Sequence, residues 1–261
     1  MIKVLFMGRK PVAARCLEYL LSLPDVKVVG VLTDSHLSVS PTSDMARAND
    51  IPVLEFDAAI WAMHSGELAF DLGFSMLFWR KLKGPFLDLP ARGVINFHPA
   101  PLPEYKGVGG YNLAILDGLS EWACTAHYVN EGIDTGEIVD VHRFPIDPDR
   151  ETAKSLEATS QGVLFDQFRA VSQRAISSTE RLETTANVGG RYLNRRELEE
   201  LKRVDLDRDD VARKVRAFWF PPYDGAYIET NGQKFTLVDR SILESLANPS
   251  SSSLFTPKSG S

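Results

Sequence analysis

The run Val94-Ile95-Asn96-Phe97-His98-Pro99-Ala100-Pro101-Leu102-Pro103 sets an amide and an imidazole two residues apart at the end of an apolar stretch. Side chains two apart on a strand share a face. Asn96 and His98 are therefore expected side by side where the strand stops. Pro99, Pro101 and Pro103 lack the N–H that a ladder needs and hold the chain extended. Such a stiff strand end is where open α/β sheets bind ligands. A second polar segment, Asn130-Glu131-Gly132-Ile133-Asp134-Thr135-Gly136-Glu137, puts a carboxylate in a turn-rich loop. An amide that donates to a developing oxyanion, an imidazole that titrates at ~6.5 and a carboxylate are the groups that move an acyl unit onto an amine. Each has a plainer reading alone: a solvated or structural histidine, an asparagine capping backbone, an aspartate in an Asx turn. Only the combination points to this chemistry.

The elements that must position these groups follow from periodicity. Residues 2–7 read as a buried strand, Pro11 suits the first turn of a helix, and Val12, Ala13, Cys16, Leu17, Leu20 and Leu21 recur at helical spacing. Residues 26–33 form a second β-branched strand, giving a βαβ opening and hence a parallel sheet with a right-handed crossover. Further strands are expected over 52–54, 70–78, 93–97, 123–129 and 137–144, and helices over 43–49, 111–117 and 152–175. After residue 180 the texture changes: helices over 197–202 and 209–218, a rigid turn at Phe220-Pro221-Pro222-Tyr223-Asp224-Gly225, and strands 226–230 and 234–238 joined at Asn231-Gly232, a hairpin signal. The expected fold is α/β, a Rossmann-like mostly parallel sheet with flanking helices, plus a small C-terminal α+β region with a β-hairpin. Residues 1–182 read as the catalytic domain, 183–247 as the small helix and hairpin region, and 248–261, rich in Ser, Pro and Gly, as a disordered tail.

Composition narrows the classes. With 44% hydrophobic and 25% charged residues, the chain of 261 residues reads as a globular protein with a sizeable core. The net charge of −6 gives no global field for nucleic acid. Cys16 and Cys124 lack any C-x-x-C partner and read as core thiols. The start is too short for a signal peptide, and no stretch reaches the ~20 apolar residues of a membrane span. A cytoplasmic protein with no membrane and no nucleic-acid partner is expected. Gly8-Arg9-Lys10-Pro11-Val12-Ala13 has one glycine where a dinucleotide loop needs G-x-G-x-x-G, which disfavours NAD or FAD. Arg9 and Lys10 could meet a ligand phosphate near the helix start, or lie in a solvated turn. Asp134-Thr135-Gly136 resembles the aspartic-protease triplet, but the single copy in an α/β context argues against that. His98, His127, His142 and Asp134 are metal-ligand types without zinc-site spacing, so no metal is expected.

Asn96-Phe97-His98-Pro99, Leu102-Pro103-Glu104-Tyr105-Lys106-Gly107 and Asn130 through Gly136 together resemble the formyltransferases that use N10-formyltetrahydrofolate. Phe6-Met7-Gly8 through Val29-Gly30-Val31-Leu32-Thr33 is similar to the start of the methionyl-tRNA enzymes. The resemblance covers about residues 1–180 and implies catalytic roles for Asn96, His98 and Asp134. It also implies a pterin pocket along Met76, Leu77, Phe78, Trp79 and Leu82, with Gly132 and Ile133 opposite. Arg9, Lys10, Tyr105, Lys106, Gly107, Tyr111 and Tyr223 are the candidates for the acceptor. Lys106 could meet a diphosphate, and Tyr223 could stack or serve a homodimer. Asp34 to Pro41 is short and free of Lys and Arg, whereas the tRNA enzymes carry a basic insertion there and need many phosphate contacts. The glycinamide ribonucleotide enzymes usually end near the first domain. The continuation Arg213-Lys214-Val215-Arg216-Ala217-Phe218-Trp219-Phe220-Pro221-Pro222-Tyr223-Asp224-Gly225-Ala226 looks like the sugar N-formyltransferases. These act on amino sugars carried by nucleoside diphosphates, often for surface polysaccharide such as O-antigen. The alternatives kept are a methionyl-tRNA or glycinamide ribonucleotide acceptor, and a non-catalytic folate or nucleotide binding protein.

Overall fold

The computed structural model of the chain describes residues 1–34 and 40–246. Most of the basic-poor loop and the tail from Asn248 lie outside the described residues. Six strands form one sheet in the order β2-β1-β3-β4-β6-β7: β1 is Ile2–Gly8, β2 Val26–Leu32, β3 Leu72–Met76, β4 Val94–His98, β6 Glu121–Tyr128 and β7 Ile138–Pro145. The first four run parallel, and β6 pairs antiparallel with both β4 and β7. The fold is thus Rossmann-like α/β, as the alternation of apolar strands and amphipathic helices predicts.

The period of two along each strand sorts side chains into two cores. From β1, Val4 and Phe6 join one cluster and Leu5 and Met7 the other. Helix α1 (Lys10–Leu21) and the long α6 (Ala153–Ser177) pack on the first face. Helices α3 (Phe56–Ser65) and the short α4 (Pro85–Asp88) pack on the second; α2 (Pro41–Ala48) lies against α1. Phe168 of α6 is fully buried and meets the rings of Phe6, Phe74 and Phe97, one from each of three strands, at centroid distances of 6.2, 5.3 and 5.0 Å. It is the peg on which the helix and the sheet are registered.

Several elements depart from the sequence expectation. Residues 52–54 make only a single bridge, Val31 with Val53, rather than a strand. Helix α3 is an addition to the expected elements, although Phe56, Ala59, Ile60 and Met63 have helical spacing and Gly66 closes it in the left-handed conformation. Strand β3 stops at Met76 because Leu77 turns to φ 53°. Tyr105–Gly107 (β5) pairs in parallel with Arg191–Leu193 (β8) in a three-residue ladder, too short to show any period.

Helix α5 (Gly110–Leu116) links this body to the C-terminal elements, α7 (Arg195–Leu201), α8 (Val211–Phe218), the hairpin β9 (Tyr227–Thr230) and β10 (Gln233–Thr236), and α9 (Arg240–Leu246). Their core, including Val215, Phe218, Ala226 and Ile242, takes Ile115 from α5. The hairpin turns at Asn231 and Gly232, with φ of 52° and 73°. Positive values at both central residues are what a two-residue primed turn demands. Phe168→Ala removes the shared aromatic contact and is expected to cost about 3–5 kcal/mol, read as a lower urea midpoint; a loss below about 1 kcal/mol would contradict this role for Phe168.

Candidate active site

The site is built on one lateral row across three strands. Ser75 on β3 pairs with Asn96 on β4, and Asn96 with His127 on β6. Their neighbours Phe74, Phe97 and Ala126 belong to the first core, so the period of two turns the three polar side chains to the opposite face. The Ser75 hydroxyl donates to Asn96 Oδ1 at 2.8 Å. Asn96 Nδ2 lies 3.0 Å from His127 Nε2. His127 Nδ1 lies 2.9 Å from the Tyr128 carbonyl oxygen, which only accepts. The proton of neutral His127 is therefore on Nδ1, and its Nε2 accepts from Asn96. One N–H of the Asn96 amide is thereby used and the other is left for the site, in a fixed orientation.

His98 ends β4 one pleat further on. Its partner across the ladder is Thr125, which accepts from the Leu102 amide and donates to the Ala100 carbonyl, tying down the proline-rich loop. His98 Nε2 is 2.9 Å from the Tyr105 carbonyl oxygen and so carries its proton there. Nδ1 is left as the basic nitrogen, 3.6 Å from Asp134 Oδ2. Asp134 Oδ1 is 3.6 Å from His127 Nε2, and Oδ2 accepts from the Gly107 amide at 2.9 Å. The carboxylate thus sits between two buried imidazoles.

Electrostatics set resting charges. Burial lowers the pKa of His98 below its ordinary value, opposed by the charge of Asp134, lowered further by His127 and raised by its hydrogen bond to Tyr105. Burial also disfavours ionised Asp134, but His98, His127 and the Gly107 N–H outweigh it and hold the carboxyl at about 2. At neutral pH the pair rests as carboxylate and neutral imidazole, ready to take a proton on Nδ1 of His98. Gly136 is required by the close approach of this loop to β6: a Cβ there would lie 1.7 Å from the Tyr128 oxygen.

Two cavities meet at this centre. The smaller, about 160 Å3, is lined by Ser75, Phe78, Trp79, Leu82, Asn96, His127, Gly132, Ile133 and Asp134 among others. The larger, about 530 Å3, is lined by Arg9, Lys10, Leu77, His98, Gly107, Tyr111, Tyr192, Asn194 and Arg195, and shares Phe78, Trp79, Asn96, Ile133 and Asp134 with the first. Of the residues expected to bind pterin, Phe78, Trp79, Leu82, Gly132 and Ile133 line the smaller cavity, Leu77 lines the larger, and Met76 is buried beneath them. Of those expected at the acceptor, Arg9, Lys10, Gly107 and Tyr111 line the larger cavity, with Lys10 paired to Glu157. Three lie elsewhere. The Tyr105 hydroxyl donates to Asp117 on another groove, Lys106 is buried with Nζ on the Gly189 carbonyl, and exposed Tyr223 packs on Phe220.

The structure adds residues that the sequence reading leaves out: Ser75, the structural place of His127, and Tyr192, Asn194 and Arg195. Thr125 and His127 are two polar residues at spacing two in an otherwise apolar strand, the same signal that exposes Asn96 and His98. The Tyr192 group has no local signal, because only the pairing of β8 with β5 brings it to the cavity. Among the described residues no group of three or more His, Cys, Asp or Glu is arranged to hold a metal ion, and no helix is long and apolar enough to cross a membrane.

Known proteins share this sequence pattern and this fold. The sequence profile described as formyl transferase matches residues 23–163, over half of the chain. Methionyl-tRNA formyltransferase of Chlamydia caviae is 30% identical over 201 residues, 72% of this chain and 62% of that protein. The same-named protein of Clostridioides difficile is 26% identical, over 75% of this chain and 64% of its own length. The chain thus spans less than two thirds of the length of these two relatives. The crystal structure of an N-formyltransferase from Helicobacter canadensis, in complex with folinic acid and dTDP-3-aminofucose, matches with a TM-score of 0.72 at 27% identity, covering 90% of this chain and 86% of that one. A 4-N formyltransferase from Francisella tularensis has the same fold, with a TM-score of 0.74 at 18% identity over 90% of this chain and 96% of that one. With the profile spanning the strands that carry Asn96, His98 and His127 and the loop that carries Asp134, the chain belongs to the formyl transferase family.

Proposed function

We propose that the protein transfers the formyl group of N10-formyltetrahydrofolate to the amino group of a nucleoside-diphosphate-linked amino sugar. The observation that carries this reading is the meeting of two cavities at Asn96 and Asp134. A transfer between two bound molecules needs a donor chamber and an acceptor chamber that share the reacting groups. The smaller cavity suits a reduced pterin: Phe78, Trp79, Leu82 and Ile133 offer flat apolar surface, and the polar row closes its inner end. The larger cavity carries Arg9, Lys10 and Arg195 for a diphosphate and Tyr111 and Tyr192 for a base or sugar ring. The chain also covers most of the Helicobacter canadensis enzyme, whose complex holds folinic acid and dTDP-3-aminofucose.

Each residue has a chemical task in this reading. The spare N–H of Asn96 binds the formyl oxygen and strengthens its hold as the carbonyl becomes an oxyanion. His98 accepts the amine proton at Nδ1 as the new C–N bond forms. Asp134, ionised beside it, stabilises the resulting imidazolium. The C–N10 bond then breaks, and His98 returns the proton to the departing nitrogen. His98 is assigned as the base because the Asp134 carboxyl, held at about 2, is too weak a base to compete near neutral pH.

The second reading is a methionyl-tRNA acceptor, favoured by the names of the curated relatives. The net charge of −6 weighs against it. Incubating the protein and N10-formyltetrahydrofolate with a panel of nucleotide-linked amino sugars, and separately with charged initiator tRNA, separates the two by mass spectrometry. One formyl gained on a nucleotide sugar supports the first reading, and turnover on tRNA alone overturns it.

Asn96→Ala and His98→Ala are each expected to lower the transfer rate by about 10²–10³ with the fold retained; near-wild-type rates in both variants would refute the assignment. The pH profile of kcat/KM is expected to fall on the acid side with a midpoint below ~6.5, since His98 must be neutral to act and its pKa is lowered. Asp134→Asn removes the charge that raises the His98 pKa, so the acid limb is expected to move to still lower pH while kcat drops. A limb that stays in place would show that Asp134 does not act on His98.

A further inference from the structure

We infer that Asn187 is a positioning residue that holds Asp134 in its working conformation. Asp134 has φ 53°, in the left-handed region. A residue with a side chain enters that region less readily than glycine does. A contact from outside the loop bears on it there. Asn187 Nδ2 donates to the Asp134 carbonyl oxygen at 3.0 Å and to the Gly136 carbonyl oxygen at 2.7 Å. One amide thus grips the carbonyl of the residue that faces His98 and His127 and, two residues on, that of Gly136.

The orientation of that amide is settled by the same contacts. Both loop partners are carbonyl oxygens, so only the NH2 side can face them. The Asn187 Oδ1 atom is left buried with no partner among the described residues. An acceptor buried in this way disfavours the folded state. A side chain that merely filled space would not need to leave an acceptor unpaired.

Asn187 lies on a strap that crosses the site. Thr185 exchanges two backbone hydrogen bonds with Ile138, at 2.9 and 2.8 Å, at the start of β7. Two residues beyond Asn187, the Gly189 carbonyl accepts from Lys106 Nζ at 2.7 Å. Gly190 has φ 80° and passes so close to the Pro103 carbonyl that a Cβ would lie 1.5 Å from its oxygen. The segment then enters β8 beside β5, whose Gly107 amide is the other donor to Asp134. Asp134 is therefore held at its backbone by Asn187 and at its carboxylate by Gly107, and the strap joins both. This segment lies beyond the residues matched by the family profile.

The inference rests on the catalytic reading of Asp134, and its test separates the two. Asn187→Ala and Asn187→Asp are made in the full chain. The ring signals of His98 and His127 are followed by NMR against pH without substrate. The titratable groups that bear on His98 are Asp134 and His127. With the loop released, the carboxylate moves from His98, and the His98 midpoint is expected to shift to lower pH in both variants. Formyl transfer is expected to lose about 10- to 100-fold in kcat with little change in donor KM, as a misplacement of about 1 Å does. Asn187→Asp, nearly the same shape, puts oxygen against two carbonyls and is expected to be at least as damaging as Asn187→Ala. Folding is checked by the thermal midpoint, and if one variant fails to fold the other carries the test. An unchanged His98 titration, or Asn187→Asp behaving as wild type, overturns the positioning role. A shifted titration in a protein whose wild type transfers no formyl group overturns the reaction instead and leaves the clamp standing.

Discussion

The site depends on the lateral register of β3, β4 and β6. Ser75, Asn96 and His127 are held abreast by the ladders, and their side chains close a chain of hydrogen bonds from a hydroxyl to a backbone carbonyl. A buried amide without partners destabilises a fold, whereas one with a donor on one side and an acceptor on the other is both tolerated and aimed. A slip of one residue in any of these strands would turn its polar member into the apolar core and bring a core residue to the site. The aromatic packing of Phe168 against β1, β3 and β4 resists such a slip. The hydrophobic core and the orientation of a single N–H are thus one mechanical problem.

Charge is handled in a similar way. Asp134 is mostly buried, yet it is kept ionised by two imidazoles and a backbone amide rather than by an arginine or lysine. A permanent cation would hold the carboxylate equally well but would not respond to the reaction. The buried His98 imidazole, its pKa lowered, is neutral at rest, so the attraction grows when it takes a proton. In the proposed reaction the stabilisation is then largest at the stage at which charge appears, which is the condition for an interaction to accelerate a step.

The parts legible in the sequence are those with a local period or a local chemistry. The buried strands, the βαβ opening, the Asn231-Gly232 hairpin and the pairing of Asn96 with His98 on one strand face all follow from spacing. Helix α3 is equally legible, since Phe56, Ala59, Ile60 and Met63 carry the pattern and Gly66 the stop. The three-residue ladder of β5 and β8 is not, because it joins segments far apart in the chain with no period to announce it. Lys106 and Tyr105, expected at the acceptor from their place in the chain, lie in that ladder with their side chains on the Gly189 carbonyl and on Asp117, outside the lining of the larger cavity. Within β5 Gly107 faces the Asp134 carboxylate, through its backbone amide. Tyr192 and Arg195 reach the larger cavity only through tertiary structure.

The β5–β8 ladder separates two kinds of information. Ser75, Asn96, His98 and His127 are set by the register of the main sheet. The wall carrying Tyr192, Asn194 and Arg195 hangs on three residue pairs at the periphery and on the helix that follows. Substitutions on that wall reshape the larger chamber without touching the hydrogen bonds between Ser75, Asn96 and His127. The architecture is therefore suited to divergence by exchange of its rim: a lineage can acquire a new partner molecule through a handful of peripheral changes while the interior remains frozen.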